Sequence, residues 1–137
     1  ISFNISVNAG ESGKAISKVS SGGELSRILL GIYSIFSDSE KHKLLLFDEI
    51  DTGVGGLTAN AIGSVLEKLA QKHQVFTITH LAQIAHFSHS HYIIEKRIEK
   101  NKTFSNIRQL SETEKQLELS RMIGGNKVVN SLKLALS

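Results

Sequence analysis

Leu44-Leu45-Leu46-Phe47 runs straight into Asp48-Glu49, and Ile50-Asp51-Thr52-Gly53 follows. A short apolar run without alternation suits a strand covered on both faces, as in a parallel sheet packed between helices. Such sheets take their ligands at the carboxyl ends of the strands. Asp48 and Glu49 fall at that end. Beyond a glycine-bearing loop (Thr52-Gly53-Val54-Gly55-Gly56), residues 57–72 show helical spacing, with Ile62, Val65, Leu66 and Leu69 on one face. Residues 74–79 form a second β-branched and aromatic run that ends at His80. Strand, helix and strand in that order predict an α/β fold with layered sheet and helices.

The remaining segments are assigned by the same signals. Ile1, Phe3, Ile5 and Val7 alternate with polar partners, which predicts a strand over 1–8 with one buried face. Ala9-Gly10-Glu11-Ser12-Gly13-Lys14 resembles a phosphate loop only superficially. Two residues separate Gly10 from Gly13-Lys14 where four are needed, and Ala15 stands where Ser or Thr would bind magnesium. It reads as a polar turn, and no other GxxxxGK[ST] exists in the chain. Ser20-Ser21-Gly22-Gly23-Glu24 leads into a helical pattern through Phe36, with Leu25, Ile28, Leu29, Ile32 and Phe36 on the apolar face. Its start is equally an ordinary N-cap or an anion site made of free N–H groups at a positive helix end. Residues 81–86 predict a short helix with Leu81, Ile84 and Ala85 inward. Residues 91–97 and 103–110 predict a hairpin. Ser111-Glu112-Thr113-Glu114 is a capping box opening a helix through Met122, with Gly124-Gly125 closing it. A terminal helix is expected over 128–136.

A chain of 137 residues is expected to form a single domain, residues 1–137, with a core of useful size. It opens on Ile1 and reads as a fragment of a longer protein. No stretch approaches the apolar length that crosses a bilayer, no signal pattern is present, and the absence of cysteine excludes a disulfide framework and fits the cytoplasm. Sixteen basic against thirteen acidic side chains leave a net charge of +3, which permits nucleic-acid contact without arguing for it. The densest basic group, Lys96 to Lys102, is read as a solvated strand edge and turn.

Three features fall at element ends: the Ser/Gly helix start, Asp48-Glu49 and His80. A hydrolytic triad lacks its nucleophile elbow, and His86, His89 and His91 are too loosely spaced for a metal cluster. Nucleotide hydrolysis accounts for all three features together. Asp48 would hold hydrated Mg²⁺, and Glu49 would orient or deprotonate water. His80 would donate to the γ-phosphate, and Ser21, Gly22 and Gly23 would supply helix-end donors.

Ser21-Gly22-Gly23-Glu24 resembles the signature motif of ABC-class ATPases, with Ser20 where Leu is common. Residues 44–49 resemble Walker B with its catalytic glutamate, 50–56 the D-loop, and Thr79-His80 the switch histidine. Ile50-Asp51 in place of Pro-Thr is similar to the SMC-like branch. Ser21 to Arg27, Asp48 to Gly53 and Thr79 to Ala85, with the tail from Ile94 to Gly125, resemble ATPases of bacterial DNA double-strand-break repair. Gly55 departs from the Asp that usually closes the D-loop in transporters and SMC proteins.

The resemblance implies the carboxy-terminal lobe of an ABC-type ATPase head, a P-loop NTPase fold without its P-loop lobe. It implies ATP and Mg²⁺ as cofactors, with Asp48 on the metal through water and Glu49 and His80 catalytic. Ser21, Gly22, Gly23, Glu24 and Asp51 join Asp48 as nucleotide-binding residues, the signature residues reaching the nucleotide on a partner head. The implied partners are the amino-terminal Walker A lobe of the same protein, a second head in a homodimer, and DNA through the complete protein, in the bacterial cytoplasm at the nucleoid. The lobe alone is expected to be inactive. A non-catalytic scaffold lobe is the alternative reading, and a transporter ATPase subunit a weaker one.

Overall fold

The structure is a computed structural model that describes residues 4–6, 12–16, 21–36, 42–99 and 102–124. The chain divides into two compact units, Ile1–Thr79 and His80–Ser137.

In the first unit, β1 (Asn4–Ile5) pairs antiparallel with β2 (Lys14–Ala15). Lys14 therefore belongs to a strand and not to the loop that a phosphate-binding lysine closes. Next come α1 (Gly22–Phe36), β3 (Leu44–Phe47), α2 (Gly56–Ala70) and β4 (Gln74–Thr77). β3 and β4 pair in parallel, Leu44 opposite Gln74 through Phe47 opposite Thr77, with α2 as the crossover. Parallel pairing requires such a crossover. α2 packs on α1 and β4 through Ala59, Ile62, Gly63, Leu66 and Leu69, with Val65 half-buried at the margin.

β3 and α1 differ from the sequence expectation in which faces they bury. Leu45 and Phe47 are buried, but Leu44 and Leu46 on the opposite face are 66% and 68% exposed. Phe76 and Ile78 are also exposed. The apolar run is thus covered on one face only. In α1 the buried residues are Gly23 and Leu30, whereas Leu25, Leu29 and Phe36 are exposed and Ile28 and Ile32 half-buried. The inward face runs Gly23, Arg27, Leu30, at helical spacing. Close approach at Gly23, described below, rotates the helix away from its most apolar stripe.

In the second unit, α3 (Ala82–Ala85) is followed by β5 (Tyr92–Glu99), β6 (Lys102–Gln109) and α4 (Glu112–Gly124). Ala82, Ala85 and Leu119 cluster with Met122 at the contact of α3 and α4. Ala82 takes the inward place expected for Leu81, which caps the short helix in an extended conformation. The hairpin pairs Tyr92 with Gln109 through Glu99 with Lys102, and its base is closed by Leu110 N–H donating to the His91 carbonyl at 2.8 Å. The capping box forms at α4: Ser111 N–H donates to Glu114 Oε2 at 2.9 Å, and Glu114 N–H donates to Ser111 Oγ at 3.4 Å. Arg108 adds an ion pair to Glu114 at 2.7 Å. The helix expected over 128–136 and Gly125 lie outside the described residues.

Candidate functional site

The acidic turn begins where β3 ends. Asp48 and Glu49 are both exposed, whereas Ile50 is fully buried and Asp51 only 5% exposed. An apolar–polar pattern cannot continue as strand with such neighbours, and the chain turns sharply. Glu49 adopts a left-handed backbone with φ of 55°. That conformation costs a non-glycine residue about 1–2 kcal/mol, and such strain concentrates at functional sites. Asp48 Oδ1 accepts the Glu49 N–H at 2.9 Å, and the Glu49 carbonyl accepts the Thr52 N–H at 3.0 Å. The turn continues with Val54 N–H donating to the Asp51 carbonyl at 3.3 Å. Gly53, with φ of 72°, supplies the left-handed residue that lets it close.

The amino end of α1 grips this turn. Ser26 Oγ donates to the Asp48 carbonyl at 2.8 Å. Arg27 Nη1 donates to the carbonyls of Thr52 at 2.9 Å and Ile50 at 3.2 Å. Gly23 lies so close that a Cβ there would meet the Glu49 carbonyl oxygen at 2.6 Å and the Thr52 Cβ at 3.0 Å. At Gly22 a Cβ would meet Glu49 Oε2 at 2.8 Å. Gly23 is therefore required by packing against main chain within this unit, whatever else it contacts, while Gly22 faces only the end of a side chain. Ser21 caps the helix, its Oγ accepting the Glu24 N–H at 3.4 Å and its carbonyl the Leu25 N–H at 3.1 Å. The capping reading of this helix start is thus realised in the geometry, and Glu24 sits exposed in the first turn.

From the other side, Thr79 Oγ1 donates to Asp51 Oδ2 at 2.6 Å, and Ile78 N–H donates to the Phe47 carbonyl at 3.1 Å. The Asp51 carboxylate thus faces inward and ties the turn to the end of β4. His80 follows as the first residue of the second unit and is exposed. His73 shows the ordinary structural use of a histidine: it is buried, and its Nδ1 accepts the Lys43 N–H at 3.2 Å.

The first unit therefore brings Ser21, Gly22, Gly23, Asp48, Glu49 and Asp51 into one cluster. Ser26, Arg27 and Thr79 lie inside the motif segments of the sequence, where no role marks them. The signal was available for Arg27, which stands four residues after Gly23 and so shares its helix face.

Among solved structures, one from work on ATP-driven dimerization and DNA-stimulated activation of SMC ATPases aligns with a TM-score of 0.52 at 22% identity. The alignment covers 84% of this chain and 68% of that one. The chain thus has the fold of an SMC-type ATPase lobe. In sequence it belongs, over nearly its whole length, with the DNA repair proteins called RecN, as their homologue. It is 44% identical to RecN of Bacillus subtilis over 97% of the chain and 23% of that protein. Against RecN of Deinococcus radiodurans it is 41% identical over 90% of the chain and 22% of that protein. With RecN of Haemophilus influenzae the identity is 38%, over 92% of the chain and 23% of the relative. The chain therefore spans less than a quarter of the length of these relatives. No family model matches it.

Proposed function

We propose that this chain is the carboxy-terminal lobe of an SMC-like ATPase that binds and hydrolyses ATP where two heads meet, in repair of DNA double-strand breaks. The observation that carries the reading is the exposed Asp48-Glu49 pair at the carboxyl end of β3, held against Gly22 and Gly23. Homology to RecN supports the repair role, and the SMC-type fold supports the nucleotide.

The donor set fits a magnesium nucleotide. Among the described residues no group of three or more His, Cys, Asp or Glu side chains could hold a metal alone. One strand-end carboxylate suits Mg²⁺, which keeps several waters and takes its other ligands from phosphates. Asp48 accepts the Glu49 N–H on Oδ1, and its carboxylate would hold Mg²⁺ through water. When bound, Mg-ATP supplies the phosphoanhydride and the charge that the metal partly neutralises. Glu49 accepts the proton of the attacking water, and its left-handed backbone sets where that carboxylate points. His80 donates to the γ-phosphate, and Ser21, Gly22, Gly23 and Glu24 face the nucleotide of the partner head. Asp51 contributes through the shape of the turn it anchors. Both units act as one lobe, completed by a Walker A lobe of the same protein, a second head and DNA. The 137 residues alone are inactive, and the whole works at the nucleoid. No described helix is long and apolar enough to cross a membrane.

The test is Glu49→Gln in the complete protein. Turnover falls about 10²–10⁴-fold, ATP binding persists, and ATP-bound dimers accumulate. Unchanged turnover would remove Glu49 from its role and favour a non-catalytic scaffold.

A further inference from the structure

We propose that Arg27, assisted by Ser26, is a positioning residue that holds Glu49 in its working conformation. The inference rests on the ATPase reading above. Glu49 has a left-handed backbone, φ 55°, at a position without glycine, so the turn does not adopt this shape by intrinsic preference. Neighbours must impose it. Among the described residues, three hydrogen bonds from α1 do so by gripping the main chain on both sides of Glu49. Ser26 Oγ donates to the carbonyl before it at 2.8 Å, and Arg27 Nη1 donates to those of Ile50 and Thr52 at 3.2 and 2.9 Å. The close approach of Gly23 to the Glu49 carbonyl lets the helix come near enough for these bonds.

Arg27 is half-buried, and both of these hydrogen bonds go to carbonyl oxygens of this turn. A side chain placed for general stability would have no need to converge on alternate carbonyls following a carboxylate-bearing residue. One nitrogen serves both carbonyls, so a lysine at this position can reproduce the contact. The effect of Arg27 is on where the Glu49 carboxylate points and not on nucleotide affinity, because its guanidinium is turned to the main chain of the turn.

The experiment measures kcat and KM for ATP, and nucleotide binding, in the full-length protein carrying Arg27→Ala, Arg27→Lys, Ser26→Ala and Arg27→Ala/Glu49→Gln. Arg27→Ala lowers kcat on the order of 10- to 100-fold, the cost of a misplaced reacting group, with ATP affinity unchanged. Arg27→Lys recovers most of that loss. The double variant turns over no more slowly than Glu49→Gln alone, since misplacing an absent carboxylate has no further cost. The proposal is overturned by unchanged kcat in Arg27→Ala, by a loss confined to KM, or by a double variant in which the two losses multiply. Should Arg27→Ala fail to fold, Ser26→Ala decides, with a lowered kcat expected and an unchanged one contradicting. A parent without ATP turnover, or Glu49→Gln with unchanged turnover, removes the ATPase reading and the positioning role with it. An active parent with an unaffected Arg27→Ala removes the positioning role alone.

Discussion

Gly23→Ala is expected to damage the first unit, and Gly22→Ala is not, although the two glycines are adjacent. At Gly23 the added methyl would stand 2.6 Å from the Glu49 carbonyl oxygen, 3.0 Å from the Thr52 Cβ and 3.2 Å from Arg27 Nη1. The first contact is with main chain in a turn already bound on both sides, so it cannot swing away. Overpacking of this kind costs about 1–3 kcal/mol. Moving α1 outward to relieve it would stretch the three hydrogen bonds from Ser26 and Arg27, each worth roughly 0.5–1.5 kcal/mol. Against this stands the helix preference for alanine over glycine, at most about 0.5–1 kcal/mol. At mid-range values, about 2 less about 0.75, the net is a loss of about 1 kcal/mol. At Gly22 the nearest atom is Glu49 Oε2 at 2.8 Å, the end of an exposed side chain that can rotate aside. There the helix preference remains and stability is unchanged or slightly raised. Urea unfolding followed by circular dichroism measures both. Equal stabilities for the two variants, or a Gly23→Ala protein as stable as the parent, would refute the close approach on which the site geometry depends.

Other outcomes follow from particular contacts. Thr79→Val removes the hydroxyl that donates to the buried Asp51 carboxylate and is expected to cost about 1–3 kcal/mol; a smaller loss for Thr79→Ser in thermal melts would identify the hydrogen bond as the cause. Gly55→Asp is expected to be tolerated, because Gly55 has an extended backbone at the N-cap of α2 and open space around its Cα. An Asp N-cap is worth a few tenths of a kcal/mol over Gly, so a melting temperature at or slightly above the parent's is predicted. In the second unit, burial holds the His91 imidazole below its ordinary value of 6.5. The unfolded chain therefore takes up this proton first, and the stability His91 contributes is present above about pH 6.5 and lost as pH falls through the lowered value. The hydrogen bond from Arg121 holds Glu118 below its ordinary 4.5, which adds a loss of the same sign in more acidic solution. Unfolding measured from about pH 7.5 downward (a range set by these groups) should show the first loss, and His91→Gln should abolish it.

Elements whose signals are local were legible in the sequence. The β3 run, the α2 stripe, the β5–β6 hairpin and the Ser111–Glu114 capping box each depend on neighbours within a few residues, and each formed within about two residues of its expected place. The strand-end position of Asp48 and Glu49 was legible for the same reason. What was not legible depended on distant partners. The inward face of α1 is set by the approach of Gly23 to a turn 26 positions later, counting from Gly23 to Glu49, and this overrode the more apolar stripe of Leu25, Leu29 and Phe36. No propensity rule anticipates a left-handed glutamate. The inward turn of Asp51 needs Thr79, far along the chain. The open face of Leu44 and Leu46 reads identically to a covered one, since composition reports the preference for burial and not the partner that satisfies it.

In the proposed pair of heads, the α1 end would act on one nucleotide and Glu49 on the other. This division is tested most directly by mixing two inactive full-length variants, Ser21→Arg and Glu49→Gln, before ATP is added. A mixed pair keeps one whole site, made of Glu49 from one head and Ser21 from the other. Each variant alone is predicted to be inactive, and the mixture to regain roughly a quarter of parental turnover, because half the pairs are mixed and each has one site intact. A mixture as inactive as its components would contradict a site shared between two heads.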